Sequence, residues 1–145
     1  MVGEDIFAYQ FKDRYKLYNP FTDDKFLKWK SNTNSTDIFG RNSLKGFDKK
    51  MITSSGKDVA SLRSLFKRHN IEIDVEAPQS EAQLLKDQTY DYIWYDNDEA
   101  GKEYALKHKE TYQGVIITQP EYKDPSDWIK AEGDKPIMKF INSWI

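Results

Sequence analysis

The sequence contains no cysteine and only two histidines, His69 and His108. Without cysteine the chain cannot form a disulfide framework, a thiolate zinc site, an iron–sulfur cluster or a cysteine nucleophile. Both histidines lie in charged segments with helical character, so the sequence offers few residues for a polyhistidine zinc site or a Ser/His/Asp triad. Any metal that the chain binds must therefore be bound through oxygen.

Long apolar runs are also missing from the sequence. No segment approaches the roughly 20 apolar residues that a membrane-spanning helix needs, and residues 1–5 are acidic where a signal peptide carries basic residues. The 145 residues, of which 38% are hydrophobic and 32% charged, suffice for one compact domain. We therefore expect a soluble protein that works in the cytoplasm without a membrane partner.

The net charge of −2 conceals an uneven distribution along the chain. Residues 1–50 hold ten Lys and Arg against seven Asp and Glu, whereas residues 76–145 hold eight against fourteen. A basic start and an acidic second half favour a chain that meets a polyanion at one end and collects carboxylates at the other. Solvated helix faces can produce the same split by chance, so the distribution alone decides nothing.

Two hydrophobic patterns divide the chain at about residue 48. Alternation over 6–11, 15–18 and 25–30 predicts a small antiparallel β-rich segment at 1–48. Over 49–145, short apolar strands alternate with helical periodicity, which predicts a Rossmann-like α/β unit with a mainly parallel sheet of about four strands and flanking helices. The predicted strands cover 50–53, 71–75, 92–95 and 115–118, and the predicted helices include a short one from Ser80 to Leu85 and two within 125–145.

Acidic pairs follow two of the predicted strands. Asp96 and Asp98 come after the third strand, and Asp124 and Asp127 come after the fourth. Ligands gather beyond the carboxyl ends of parallel strands, and two carboxylates two residues apart can both face one hard cation such as Mg²⁺. The alternative is helix capping, in which an Asp side chain accepts hydrogen bonds from free N–H groups and needs no metal.

Several stretches resemble the Toprim domain, a module shared by topoisomerases, bacterial-type primases and certain nucleases. They are 51–62, 77–81, 93–102, which holds an Asp-x-Asp-x-x-Gly motif, and 123–128, which holds an Asp-Pro-x-Asp motif. Among Toprim proteins the chain is most similar to phage-type, bacterial-primase-like DNA primases, with further likeness at 16–20 and 26–33. The resemblance spans roughly residues 15–131.

The resemblance implies a compact sheet whose acidic cluster binds Mg²⁺ or Mn²⁺. It assigns Asp96, Asp98 and Asp124 to the metal, with Asp127 beside them, and it places Lys57 near a phosphate as a point charge. Such a cluster suits phosphoryl transfer, because that reaction concentrates negative charge at the reacting phosphate and metal ions neutralise it.

One position departs from the family pattern. The first Toprim motif ordinarily places a glutamate at the end of the first strand, where this chain has Ser54, and a glycine where it has Ser55. A serine cannot act as a carboxylate in acid/base catalysis. Either Glu81, from the next strand end, supplies the missing group, or the domain binds without catalysing. The catalytic candidates are Ser54, Lys57, Asp58 and Glu81.

The basic and aromatic first segment is a second functional candidate. Its cations and rings interleave as they do on surfaces that contact phosphates and stack on unpaired bases. The alternative is that the rings pack against one another while the lysines protect sheet edges from aggregation. The candidates for nucleic-acid contact are Arg14, Lys28, Trp29 and Lys30.

The resemblance therefore implies the catalytic portion of a phage-type DNA primase, which joins ribonucleotides on a single-stranded DNA template. Primases of this family usually carry a cysteine-rich zinc module for template recognition, so a chain without cysteine is expected to rely on a separate zinc-binding module or a helicase. Two alternatives stay open. One is a Toprim nuclease, and the other is a non-catalytic module that binds nucleic acid or a replication partner.

Overall fold

The N-terminal part of the protein is a small antiparallel sheet with the strand order β1-β2-β3. The computed structural model describes residues 5–145, so the first four residues of the predicted segment 1–48 lie outside the described residues. The elements are β1 (Phe7–Phe11), β2 (Arg14–Tyr18), the single-turn helix α1 (Lys25–Lys28) and β3 (Trp29–Ser31). The predicted β-rich start of the chain is confirmed.

The prediction of one continuous strand over 25–30 is wrong in its first part. Asp24 caps α1 by accepting a hydrogen bond from the Phe26 backbone N–H at 2.9 Å, which winds the chain into one helical turn before β3 begins. Alternation over a segment this short does not separate a strand from a single helical turn. Trp29 then pairs with Tyr18 of β2, so the third strand starts later than expected.

The rest of the chain is built on a four-stranded parallel sheet with the order β5-β4-β6-β7. Its strands are β4 (Lys49–Thr53), β5 (Ile73–Glu76), β6 (Tyr92–Trp94) and β7 (Val115–Ile116). Its helices are α2 (Gly56–Arg68), α3 (Glu99–Tyr112), α4 (Pro125–Glu132) and α5 (Asp134–Ile141). The predicted α/β fold is confirmed, and no helix within residues 5–145 has the length and apolar character to cross a bilayer.

Hydrophobic cores cover both faces of the parallel sheet. Neighbouring residues of a strand point to opposite faces, so Met51 and Trp94 belong to one core while Ile52 and Ile93 belong to the other. All four side chains are completely buried. Burial on both faces explains why these strands read as continuous apolar runs in the sequence.

The helix predicted from Ser80 to Leu85 is absent, and this segment forms turns instead. The Leu85 backbone N–H donates to the Tyr112 hydroxyl at 3.0 Å, and Leu84 and Leu85 pack against the core beside α3. These tertiary contacts hold the segment across the side of the sheet, and they override the helical start that Ser80 would favour.

Phe39 joins the N-terminal sheet to the parallel unit. Its ring lies 4.9 Å from that of Phe11 and 5.1 Å from that of Tyr9, and its backbone bridges to Ala77 after β5. At the start of α2, a β-carbon on Gly56 would lie 2.6 Å from the Phe39 ring. The absence of a side chain at Gly56 therefore lets the two sheets approach each other beside the first turn of α2.

Candidate metal centre

Acidic side chains from three segments meet at the carboxyl ends of β4 and β6. Asp58 lies in the first turn of α2, Asp96 follows β6, and Asp124 caps α4. One carboxylate oxygen of each lies within 4.8 Å of the other two. We call these three residues the acidic triplet. Asp58 and Asp124 are buried and Asp96 is half-buried, and Asp96 and Asp124 line a cleft.

Asp58 is the most deeply placed member of the triplet, with only 1% of its surface exposed. The Ser55 hydroxyl donates to it at 2.8 Å, and the Ser126 backbone N–H donates to its other oxygen at 3.3 Å. Burial raises the pKa of Asp58 to about 8, and the charge of Asp124 adds to the effect. The sequence analysis names Asp58 as a catalytic candidate, and the structure brings it together with Asp96 and Asp124.

Asp96 follows β6, where its backbone N–H donates to the Ser54 hydroxyl at 2.8 Å. Burial raises the pKa of Asp96 to about 6, and the neighbouring Glu81 carboxylate contributes to that rise. The Lys123 ammonium lies 3.6 Å from an Asp96 oxygen and partly offsets the negative charge. The side chain is thus fixed at the strand end that the sequence predicts.

Lys57 lies at the edge of the triplet and pairs with the acidic residues of α4. Its ammonium is 2.9 Å from an Asp124 oxygen and 3.4 Å from an Asp127 oxygen. Burial alone would lower the pKa of Lys57, but the hydrogen bond to Asp124 and the charges of the nearby carboxylates together outweigh burial and raise the pKa well above its usual range. Lys57 is therefore a fully charged ammonium held against the carboxylates.

Asp98 and Asp127 lie outside the triplet. Asp98 caps α3 by accepting from the Gly101 N–H at 2.8 Å, and its other oxygen is 3.8 Å from the Lys123 ammonium. Asp127 is in the first turn of α4, where its backbone N–H donates to Asp124 at 2.7 Å. The structure thus gives Asp98 the capping contact that the sequence offered as the alternative, and its assignment to a metal stays a prediction.

Glu81 and Ser54 lie together at the end of β4. The Ser54 hydroxyl donates to a Glu81 oxygen at 2.5 Å and accepts from the Asp96 N–H. A serine hydroxyl can do both at once because it has one donor and two acceptor positions. A carboxylate is therefore held beside Asp96 by the serine that stands where a Toprim glutamate is expected.

Comparison with known protein families identifies the part of the chain that contains the acidic triplet. A family profile described as Toprim-like matches residues 51–129, which is just over half of the chain. The chain belongs to the Toprim-like family. The matched range runs from β4 into α4 and contains the whole acidic triplet. A search of curated proteins finds no match.

The acidic triplet has the donor set that divalent metals require in a Toprim-like domain. Toprim domains bind such metals through acidic residues, and this triplet offers only carboxylate oxygens, which Mg²⁺ and Mn²⁺ prefer. Three close carboxylates, two of which have a raised pKa, also carry a repulsion that a cation would relieve. A Toprim-like fold with this cluster supports a metal-dependent nucleic-acid enzyme or a nucleic-acid binding module.

The predicted nucleic-acid contacts lie in the N-terminal sheet and in α1, outside the Toprim-like match. Arg14 forms a bidentate ion pair with Asp37, with N to O distances of 2.6 and 2.7 Å. Lys28 places its ammonium 5.9 Å from the centre of the Tyr18 ring. Trp29 and Lys30 are adjacent on β3, so they point to opposite faces of the sheet. The face that carries Trp29 also carries Tyr9. Both side chains line a cleft together with Asp96 and Asp124, so this face turns toward the acidic triplet.

Proposed function

We propose that the chain is the catalytic portion of a phage-type DNA primase, which joins ribonucleotides on a single-stranded DNA template with Mg²⁺ or Mn²⁺. The observation that carries the proposal is the convergence of Asp58, Asp96 and Asp124 at the strand ends of a Toprim-like domain. When bound there, a divalent cation neutralises the charge that develops on the reacting phosphate. The triplet holds the cation, Asp98 caps α3 beside it, and Asp127 pairs with Lys57.

Two lysines are placed to bind the phosphates of a nucleotide. Lys57 contacts Asp124 and Asp127, and Lys123 lies near Asp96 and Asp98. Neither lysine is deeply buried, because 43% of the Lys57 side chain and 59% of the Lys123 side chain are exposed. In this proposal each ammonium moves from carboxylate to phosphate oxygens when substrate and cation arrive, acting as a mobile point charge.

Glu81 takes the place of the missing Toprim glutamate in this proposal. Ser54 orients the Glu81 carboxylate through their hydrogen bond, next to Asp96. A carboxylate at that position can accept the proton of the attacking hydroxyl group, which is the task that a serine cannot perform. Asp58, whose raised pKa reflects its burial, loses its proton when the cation binds.

One observation favours a second candidate function. Ser54 stands at the family's glutamate position, so a domain that binds nucleic acid or a replication partner without catalysis also accounts for the sequence. A nuclease would use the same triplet, with water as the nucleophile in place of a ribose hydroxyl. These two functions are the alternatives that the experiment below separates.

The proposed partners follow from the proposed reaction. They are a single-stranded DNA template and ribonucleotides, together with a helicase or a separate zinc-binding module that selects the template. The proposed site of action is the cytoplasm, or the host cytoplasm if a phage encodes the chain.

An extension assay tests the proposed function. A short RNA primer annealed to a labelled DNA template removes the need for a template-selecting partner, and the chain is incubated with ribonucleotides and Mg²⁺ or Mn²⁺. We expect extension that Asp96→Asn abolishes and that Lys86→Ala, a change on an exposed side chain outside the triplet, leaves intact. Cleavage of the template would instead identify a nuclease. Binding without either reaction would identify the non-catalytic module.

A further inference from the structure

A cleft of about 260 Å³ separates the N-terminal sheet from the acidic triplet. One wall is formed by side chains of β1, β2 and β3, and the other by the polar residues that follow β4 and β6. The aromatic and basic residues that line it are Tyr9, Lys16, Tyr18, Trp29, Phe39, Lys57 and Lys123. Asp96 and Asp124 of the triplet lie at its base, so the cleft opens directly onto the candidate metal centre.

The pairing of the strands explains the aromatic wall. Tyr18 is the partner of Trp29, and Tyr9 is the partner of Lys16, so these four side chains share one face of the sheet. The rings of Tyr18 and Trp29 stack with centres 4.3 Å apart and an angle of 23° between them. Trp29 remains 43% exposed. The wall is therefore a flat, partly solvated aromatic surface, as in proteins that stack on unpaired bases.

Lys16 is a cation in this cleft that has no acidic partner among residues 5–145. Its ammonium lies 4.7 Å from the centre of the Trp29 ring and 5.4 Å from that of Phe39, and it donates to the Gln79 side-chain oxygen at 3.2 Å. Among the ion pairs found in residues 5–145, none includes Lys16. Partial burial lowers its pKa, which is the cost of holding a charge there without an anion.

We propose that this cleft binds one unpaired nucleotide, with its base against Trp29 and its phosphate on Lys16. The proposal rests on the proposed function, because the nucleotide would lie beside the metal that the acidic triplet holds. The half-buried Lys16 ammonium, which has no acidic partner among residues 5–145, would be stabilised by an anionic group. The exposed Trp29 ring can stack against a planar group. A nucleotide supplies both, and ligand pockets of about this size hold small molecules.

The chemistry is the same for a residue of a single DNA strand and for a free ribonucleoside triphosphate. Two probes distinguish these sources, namely fluorescein-labelled oligo(dT) of about 12 nucleotides and ATP. Binding is measured by anisotropy for the strand and by calorimetry for ATP, with Ca²⁺ present so that no turnover occurs. Tighter binding of one probe identifies the source, and binding of either one supports the site.

Lys16→Gln and Lys12→Gln form a matched pair of variants. Both remove one positive charge from the N-terminal sheet, but Lys12 is an exposed residue in the turn between β1 and β2 and does not line the cleft. We expect Lys16→Gln to weaken binding about tenfold and Lys12→Gln to weaken it less than about twofold. Equal losses for the two variants would overturn the proposal, because they would show a diffuse attraction to the whole sheet.

Tryptophan emission tests the stacking contact directly. Trp29 is much more exposed than Trp94 or Trp128, which are 0% and 5% exposed. We expect the bound probe to quench emission from the exposed tryptophan, and Trp29→Phe to abolish that quenching while it retains an aromatic wall. Quenching of the same size in Trp29→Phe would refute stacking at this position. Far-UV circular dichroism of each variant confirms that the sheet is folded.

The two proposals fail in different ways. If the wild-type chain extends primers but Lys16→Gln binds both probes as wild type does and Trp29→Phe shows the wild-type quenching, the nucleotide cleft is wrong and the proposed function stands. If Lys16→Gln loses binding and Trp29→Phe loses quenching but the wild-type chain extends no primer, the cleft stands and the primase proposal is wrong.

Discussion

The Lys57 ammonium lies 2.9 Å from an Asp124 oxygen, at the place where a divalent cation would compete for the same carboxylate. This contact supplies positive charge to the triplet in the metal-free protein. Removal of the lysine leaves the carboxylates less compensated, so their attraction for a cation increases. The same removal takes away a phosphate contact.

Lys57→Met is therefore expected to have opposite effects on metal affinity and on turnover. Because Lys57 is partly exposed, we expect Mn²⁺ to bind about tenfold more tightly, a modest value that allows for solvent screening. Primer extension by Lys57→Met should be slower than by the wild-type chain, because the variant lacks the phosphate contact. Titration calorimetry and the extension assay measure the two effects, and Lys67→Met on an exposed part of α2 is the control. Parallel losses in both measurements would contradict this role for Lys57.

The acidic triplet and the predicted Asp96/Asp98 pair make different predictions for metal binding. If the triplet holds the ion, Asp58→Asn with Asp124→Asn should abolish the increase in melting temperature that Mn²⁺ produces. Asp98→Asn retains a side chain that can cap α3, so most of that increase should persist. Thermal unfolding with and without Mn²⁺ measures both. If Asp98→Asn alone abolished the increase in melting temperature, Asp98 would be a metal ligand.

Glu81→Gln tests the carboxylate that Ser54 holds. The amide keeps the size of the side chain and can still accept from Ser54, but it cannot take up a proton from the attacking group. We expect primer extension to fall about 100-fold, within the range for loss of a general base. Ser54→Ala should cause a smaller loss because it disturbs only the orientation of Glu81. An unchanged rate in Glu81→Gln dismisses Glu81 as the catalytic group.

Gly56→Ala tests the approach of the two sheets. An alanine at the first position of an exposed helix would ordinarily be neutral or stabilising, because it reduces the freedom of the unfolded chain. Here the added β-carbon would lie 2.6 Å from Phe39 and 2.9 Å from Tyr9. We expect a loss of about 1–3 kcal/mol in the free energy of unfolding, measured with urea. A stabilised variant would show that the interface yields without cost.

The buried His108 should lower the free energy of unfolding at mildly acidic pH. His108 lies in α3 with its ring buried, its Nδ1 lies 2.9 Å from the Tyr95 hydroxyl, and burial lowers its pKa. A histidine with a lowered folded-state pKa binds its proton more readily in the unfolded chain, so stability is lost as pH falls below about 6.5. Urea unfolding at pH values across that range measures the loss. His108→Gln, which does not titrate, should flatten this part of the profile.

The parallel sheet was predictable from sequence because its strands are buried on both faces. Apolar runs such as the one through Ile93 and Trp94 carry that signal without any knowledge of the partners. The segment after Ser80 gave no such signal. Its conformation depends on the hydrogen bond to the Tyr112 hydroxyl and on packing against residues of α3. These partners are distant in sequence, so no local pattern indicates them.

The candidate site was predictable only in part, for a similar reason. Asp96 and Asp124 follow strands, so their convergence follows from the geometry of a parallel sheet. Asp58 joins them from the first turn of a helix, where its spacing from Ser55 indicates only a cap. The ion pairs of Lys57 depend on how α2 and α4 pack, which no local pattern encodes.

The three members of the triplet belong to three separate strand and helix units of the chain. The cation site is therefore complete only after α2, β6 and α4 have all assembled, and no single unit holds it in a partly folded chain. A ligand site that forms this late stabilises the native state more than the transition state for folding. Bound cation should thus slow unfolding and leave the folding rate nearly unchanged, so that metal loading sets the lifetime of the folded chain.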